Sequence, residues 1–268
     1  MIYRCKSNAK INIELRLVGV KNGFHLLNSV FVPIDLCDDL EFSKSDDIEI
    51  IGFDFPTKDN IIYKTIMFIK EKYKVNKGVK VVCNKNIPMM AGLGGGSSNA
   101  AFTIKALNEL WHLKLSVDER LEIAKEIGSD VSFFVVNVPS YVTGFGEKIE
   151  PIELEPLNGI LIFNGHYFNT KKIYQKFDSL NLELSKDYPK YSGKVNYIND
   201  MEKAIIDEDG YDNVIASIND LKEGGASQAL MSGSGSSTFG LFDNLEKLDE
   251  TYELLKDKYK FVYKFKSV

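Results

Sequence analysis

The chain has 268 residues, 44% hydrophobic and 26% charged, with a formal net charge of −5. That is enough apolar material for a sizeable core and excludes a disordered chain. No lysine and arginine block forms a nucleic-acid footprint, so a small-molecule partner is expected rather than DNA or RNA. The N-terminus turns polar at once and no stretch is long enough to span a membrane; a cytoplasmic protein is expected, and the oligomeric state, monomer or homodimer, is left open. Cys5, Cys37 and Cys83 are widely separated and odd in number. That pattern argues against a disulfide framework or a zinc site and for a reducing compartment.

Residues 8–18 carry Ile11, Ile13, Leu15 and Leu17 at period two, which predicts a strand. Lys10 falls in this alternation on the same face as Asn8 and Asn12. Further strands are predicted over 29–36 and 47–52. Asp59 is placed to cap a helix running to about residue 73, with Ile62, Ile66, Ile69 and Tyr73 in one stripe. Val79 to Cys83 alternates again and puts the Cys83 thiol on a buried face.

A glycine-rich segment, Ala91 to Ser98, then leads into a helix that starts near Ser97 and buries Ala100, Ile104, Leu107 and Trp111. Ser116 and Glu119 form a capping-box pattern before a helix expected to bury Leu121, Ala124 and Ile127. Asp130 precedes the apolar run Val131, Phe133, Phe134 and Val135, predicted as a strand. Near Pro151–Pro156 the chain reaches a plausible boundary. A strand is expected at 159–163, helices at 170–180, 211–222 and from Leu245 to Leu255, and a last strand alternating from Tyr259 to Phe265. A Gly/Ser-rich turn at 224–242 feeds another strand. Residues 181–210 are not assigned. The order of elements predicts an α+β protein with domains at 1–150 and 151–268.

Residues Gly94, Gly95 and Gly96 let the backbone take positive φ and approach a ligand without Cβ clashes. The helix behind them offers free N–H groups and a dipole suited to phosphate. The Ser97 and Ser98 hydroxyls can donate to phosphate or approach a metal. Neither a Walker A loop nor a dinucleotide fingerprint fits this segment.

The stretch PMMAGLGGGSSNAA resembles the phosphate loop P-x-x-x-G-L-G-S/G-S-S of the GHMP kinases, which include galactokinase, homoserine kinase and mevalonate kinase. SNAKINI at 7–13, GFHLL at 23–27, GSDVSFF at 128–134 and MSGSGSSTFGLF at 231–242 resemble SPAKINL, GYHxL, GADVPFF and MSGSGPTVFGLF of one branch, in the same order. Asn8, Ser132 and Ser236 stand where that pattern has proline, which predicts looser loops there. An Asn-Asp-Leu-Glu segment of the family has no clean counterpart near 210–215.

The resemblance implies the two-domain GHMP-kinase fold, with an N-terminal domain like ribosomal protein S5 domain 2 and a ferredoxin-like C-terminal domain. The active site is expected between them. It further implies ATP and Mg2+ as cofactors, and an alcohol substrate carrying a cytidine diphosphate group. The resemblance makes Asp130 the general base and Lys10 the cation that pairs with it and polarises the acceptor hydroxyl. Pro88, Gly92, Leu93, Gly94, Gly95, Gly96, Ser97 and Ser98 form the ATP site. Asn12 contacts the polyol, His25 reads the cytosine edge, and Phe24 and Tyr174 stack on the base, with Thr170 in the same segment. Gly233, Ser234 and Gly235 make a second anion nest or simply a tight turn. The metal ligands are unassigned. The alternatives are another small-molecule kinase of the family, of homoserine or mevalonate type, or a GHMP-fold binding protein without turnover.

Overall fold

The computed structural model describes residues 1–180, 184 and 191–268. The chain divides into two compact units, both discontinuous: residues 1–9, 36–87 and 94–137, and residues 10–35, 88–93 and 138–268.

The first two strands, β1 (Ile2–Lys21) and β2 (Phe24–Ser45), run through both units and are much longer than their hydrophobic cores suggest. They are joined by Asn22 and Gly23, both at positive φ (54° and 78°), which is the two-residue turn that an Asn-Gly pair favours in a hairpin. From Ser7 to Leu15 β1 is buried on both faces. The alternation of Asn8, Lys10 and Asn12 with apolar residues therefore marks two buried faces, one of them polar.

In the first unit, β3 (Ile48–Ile51) pairs parallel with β4 (Gly78–Asn84), and β4 pairs antiparallel with residues 39–45 of β2. Helix α1 (Ile61–Tyr73) buries Ile62, Ile66 and Ile69. Its cap is Asn60, whose side chain accepts from the Ile62 amide, and not Asp59, which lies in a 3-10 turn one residue earlier. Helix α2 (Gly95–Trp111) packs against α1, α3 (Val117–Ile127) and α4 (Val131–Val136). The capping box of Ser116 and Glu119 is present. Ile123 and Ala124 are the buried residues of α3, whereas Leu121 and Ile127 are only half-buried. The run after Asp130 is a short helix and not a strand: Val131, Phe133 and Phe134 are buried, with the helix packed against α2 and α3.

Cys83 is buried on β4, as its alternation predicts, and burial pushes its thiol up to about 12. The same cause raises Cys5 to about 11, so neither is a thiolate at neutral pH.

In the second unit, residues 27–31 of β2 pair antiparallel with β5 (Ser140–Gly144), which pairs with β6 (Lys148–Pro151). A second sheet is formed by β7 (Asn158–Phe163), β9 (Gln228–Met231), β10 (Thr238–Leu241) and β11 (Phe261–Lys266), in the order β11-β7-β10-β9 and all antiparallel. Helix α6 (Tyr211–Glu223) packs on β9 and β10, and α7 (Leu245–Leu255) on β7 and β11. This is the ferredoxin-like arrangement that the C-terminal resemblance implies. Helix α5 (Thr170–Ser179) precedes the stretch without a sequence assignment. Inside that stretch, the two residues of β8 (Ile198–Asn199) pair parallel with Glu14 and Leu15 of β1. The rest of the unassigned region falls partly outside the described residues.

Two of the three positions where the family pattern has proline, Asn8 and Ser236, are bonded rather than loose. Asn8 sits inside β1, donates to Cys37 Sγ (3.2 Å) and accepts from Asn137 (3.1 Å), at the end of α4. Ser236 donates to the His166 carbonyl, whereas Ser132 is buried in α4 with its hydroxyl unpartnered among the described residues. At 8 and 236 a polar side chain supplies bonds that a proline cannot make.

Candidate active site

In the first unit the glycine segment forms the start of α2. Gly94 is the cap, at φ 69°, and the helix begins at Gly95, two residues earlier than the sequence suggests. Of the three consecutive glycines, only Gly94 uses positive φ. Gly95 is needed for closeness instead: a Cβ there would lie 3.0 Å from Ile87 Cγ2 and 3.2 Å from Lys85 Nζ. At Gly96 a Cβ would meet nothing nearer than Ile61 Cγ2 at 3.8 Å. The fold therefore does not require glycine at 96. The amides of Gly95, Gly96 and Ser97 have no acceptor within the helix, and the glycine cap supplies no side chain to satisfy them. The Ser98 hydroxyl is fully buried, without a hydrogen-bond partner among the described residues.

Sequence reasoning missed the residue that holds this segment in place. The Asp38 carboxylate, fully buried on β2, accepts from the amides of Asn86 (2.9 Å) and Ile87 (2.8 Å) and from Asn99 Nδ2 (3.0 Å) on α2. It also pairs with Lys85 at 2.9 Å. Ser7 donates to Asn99 Oδ1 at 2.5 Å, tying β1 to the same helix. In sequence, Asp38 looks like half of an exposed acidic pair with Asp39, and nothing local separates them.

Asp130 belongs to this unit as well. It occupies the cap position of α4, yet its side chain makes no capping hydrogen bond. A structural capping role is therefore not what keeps a carboxylate here.

In the second unit Lys10 is buried, with Nζ bonded to Asn12 Oδ1 and to the Gly92 carbonyl (2.9 Å), and 5.0 Å from the Phe31 ring centre. The Lys10 amide donates to the Leu93 carbonyl at 3.0 Å. Residues 88–93, from Pro88 onward, thus run alongside Lys10. Gly92, at φ 77°, sits so close to the Ser232 carbonyl that a Cβ would overlap it. Ser232 in turn donates to the Gly92 carbonyl (3.2 Å), and the Ser237 amide donates to the Ala91 carbonyl (3.3 Å).

The 232–235 turn is therefore joined to Ala91 and Gly92 within the second unit. Gly233 (φ 59°) and Gly235 (φ 84°) use backbone that other residues rarely adopt. A Cβ on Gly233 would lie 3.3 Å from Lys10 Nζ and 3.4 Å from Asn12 Oδ1. Asn199, from the stretch that sequence left unassigned, holds the turn by donating to the carbonyls of Met231 and Gly233, both at 2.8 Å. Glu202 accepts from the Met231 amide at 2.8 Å, and burial raises its carboxyl above the usual range.

The remaining candidates line up on α5. Thr170, Tyr174 and Asp178 are spaced by four residues and share one helix face. The Thr170 and Ser234 hydroxyls are 2.9 Å apart, the Tyr174 ring lies 4.8 Å from that of His25, and His25 Nε2 donates to Asp178 Oδ1 at 2.6 Å. Asp178 has no sequence signature of its own; only the α5 spacing from Tyr174 points to it. Because a carboxylate only accepts, Nε2 carries the proton, and in the neutral ring Nδ1 is left as an acceptor. Phe24 is 68% exposed with its ring edge-on to Phe145 (6.0 Å).

Gly96→Ala is an expected separation of fold from ligand. Helical alanine should leave stability unchanged or raise it by about 0.5–1 kcal/mol, while ATP affinity by calorimetry falls at least roughly tenfold, about 1.4 kcal/mol. Unchanged affinity would move the phosphate site elsewhere.

Known proteins match this chain along its whole length. The model of the GHMP kinases N terminal domain matches residues 60–137 and that of the GHMP kinases C terminal residues 199–260. A 4-diphosphocytidyl-2-C-methyl-D-erythritol kinase of Thermoanaerobacter pseudethanolicus is 37% identical, over 99% of this chain and 96% of its own. One from Clostridioides difficile is 37% identical over 97% of this chain and 93% of its own. The crystal structure of a 4-(cytidine 5'-diphospho)-2C-methyl-D-erythritol kinase superposes with a TM-score of 0.85 at 24% identity, covering 99% of both chains. Methanococcus jannaschii mevalonate kinase does so with 0.71 at 15% identity, covering 100% of this chain and 98% of its own.

Proposed function

The chain belongs to the GHMP kinases, and from that membership we propose that it transfers the γ-phosphoryl group of ATP to the 2-hydroxyl of 4-diphosphocytidyl-2-C-methyl-D-erythritol. The observation that carries this reading is the full-length identity of 37% to relatives bearing that enzyme's name. Mevalonate kinase, by contrast, matches in fold at 15% identity. The alternative of a binding protein without turnover is disfavoured because Lys10, Asp130 and the whole glycine loop are present.

Phosphoryl transfer needs the phosphate chain held, its charge offset and the hydroxyl aimed in line. In the proposed mechanism the segment from Pro88 through Leu93 to Ser98 holds the nucleotide phosphates, with the amides of Gly95, Gly96 and Ser97 as donors. Asp130 accepts the proton of the acceptor hydroxyl. Lys10 polarises that hydroxyl, and Asn12 orients the polyol. The turn at Gly233, Ser234 and Gly235 faces the substrate's diphosphate. Phe24 and Tyr174 offer ring faces to the cytosine, beside Thr170, and His25 Nδ1 accepts from its amino group.

Mg2+ fits this chemistry as an ion carried mainly on substrate phosphates and offsets their charge when bound. The orphaned Ser98 hydroxyl, a hard oxygen in the first turn of α2, suits a place beside it. The proposed domains are 1–150 and 151–268, and the two family models fall on either side of that boundary. The separated free cysteines support a cytoplasmic setting. Among the described residues no helix is long and apolar enough to cross a membrane.

An ATPase-coupled assay with the cytidyl substrate, mevalonate and homoserine tests the assignment. Turnover is expected with the first alone, and comparable turnover with either of the others would overturn it. In the same assay Phe24→Ala and His25→Ala should each raise KM for the cytidyl substrate by about 5- to 150-fold, the scale of about 1–3 kcal/mol for stacking on a base. KM for ATP should not move. Equal damage to both would make these residues core supports.

A further inference from the structure

A cavity of about 200 Å³ opens in the first unit, bounded by α2, α3 and α4 and lined by none of the residues assigned above. We propose that it is a second binding site, for a small phosphorylated alcohol. Two cations line it, Lys105 from α2 and Arg120 from α3. Among the described residues neither forms a salt bridge. Arg120 spends only its Nε, on the Ser116 carbonyl at 3.4 Å. Two cations on one small cavity repel each other, and an anion between them relieves that repulsion.

Within a mainly polar lining, Phe102, Phe134 and Val135 supply an apolar wall, a place for a short carbon chain beside the anion. At the α4 end lies Asn137, held at φ 54° as the cap of that helix. Its Nδ2 donates to Asn8, but its Oδ1 is buried without a partner among the described residues. Buried acceptors without donors are rare in native structures. A ligand hydroxyl would satisfy this one. Phosphate at the cations, carbon against the rings and hydroxyl at Asn137 together define the ligand class. The volume lies below the roughly 300–1,000 Å³ of sites for drug-sized ligands, which limits the ligand to a few carbons.

The site is placed to act on catalysis. Asn137 and Val135 belong to the C-terminal end of the six-residue α4, and Asp130 stands at its other end. That regulatory consequence rests on the proposed role of Asp130; the binding itself does not.

The probe is glycerol 3-phosphate, titrated calorimetrically into the full chain without ATP or acceptor. Binding near or below about 1 mM is expected. The double variant Lys105→Gln, Arg120→Gln should weaken it at least tenfold while ATP affinity and basal turnover stay as in the parent. Inorganic phosphate should bind at least several-fold more weakly than the probe. No binding at several millimolar, or equal binding in the double variant, overturns the site. Equal affinity for phosphate and glycerol 3-phosphate overturns the assignment of an organic ligand. Because no kinase activity is read in the titration, a failure of the kinase assignment leaves this result interpretable.

Discussion

Asp130→Asn should bind ATP and acceptor nearly as the parent does and lose about 10²–10⁴-fold in single-turnover rate, the usual worth of general-base assistance. The amide is close to isosteric with the carboxylate, so packing at the head of α4 should persist. The carboxylate makes no capping hydrogen bond that the change would disturb. The amide cannot take up the hydroxyl proton. If the transition state is loose and the proton moves late, the loss falls at the lower end, and aiming of the hydroxyl is the larger part of it. Saturating single-turnover kinetics remove substrate binding and product release from the comparison. A rate within about threefold of the parent, under about 1 kcal/mol in the barrier, would show that Asp130 is not the base.

Asp38→Ala should be the most damaging single change to the glycine segment. It deletes a fully buried carboxylate and strands the amides of Asn86 and Ile87, the Asn99 side chain and the Lys85 ammonium at once. Removing one partner of a buried ion pair typically costs about 3–5 kcal/mol, and urea unfolding should show a loss of that order. Asp38→Asn keeps one acceptor and should fall between. Because Asn99 sits one turn into α2 and Ile87 precedes the loop, ATP affinity should fall in both variants even where they remain folded. An Asp38→Ala protein with parental stability would show that the network is incidental.

The periodicity of the chain was sufficient for most elements. The stripe of Ile62, Ile66 and Ile69, the Ser116–Glu119 capping box and the terminal strand through Phe265 all stand as expected, because burial on one face and local capping are properties of neighbouring residues. Where a signal was purely local but had two solutions, it misled. The apolar run after Asp130 is buried on too many sides to show a period, and it folds as α4 and not as a strand. Asp59 and Asn60 are both good caps, and the backbone chose Asn60. The Asn22-Gly23 turn, legible in principle, explains why β1 and β2 extend so far beyond their apolar cores.

The residue types of the candidate site were determined by the sequence alone: a phosphate-ready glycine segment, a lysine in an apolar strand, an aspartate before an apolar run. Only the tertiary structure decided how the work is divided among them. It separates the glycines by function, with Gly94 turning the chain, Gly95 admitting Ile87 and Lys85, and Gly96 left clear. It also brings in Asp38, Asn199 and Asp178, which carry no motif. Their roles come from hydrogen bonds to positions 61, 34 and 153 residues away in the chain, to Asn99, Gly233 and His25. Local patterns report which face of an element is apolar. They contain nothing about which distant donor a buried oxygen will meet, because that pairing exists only once the chain has closed.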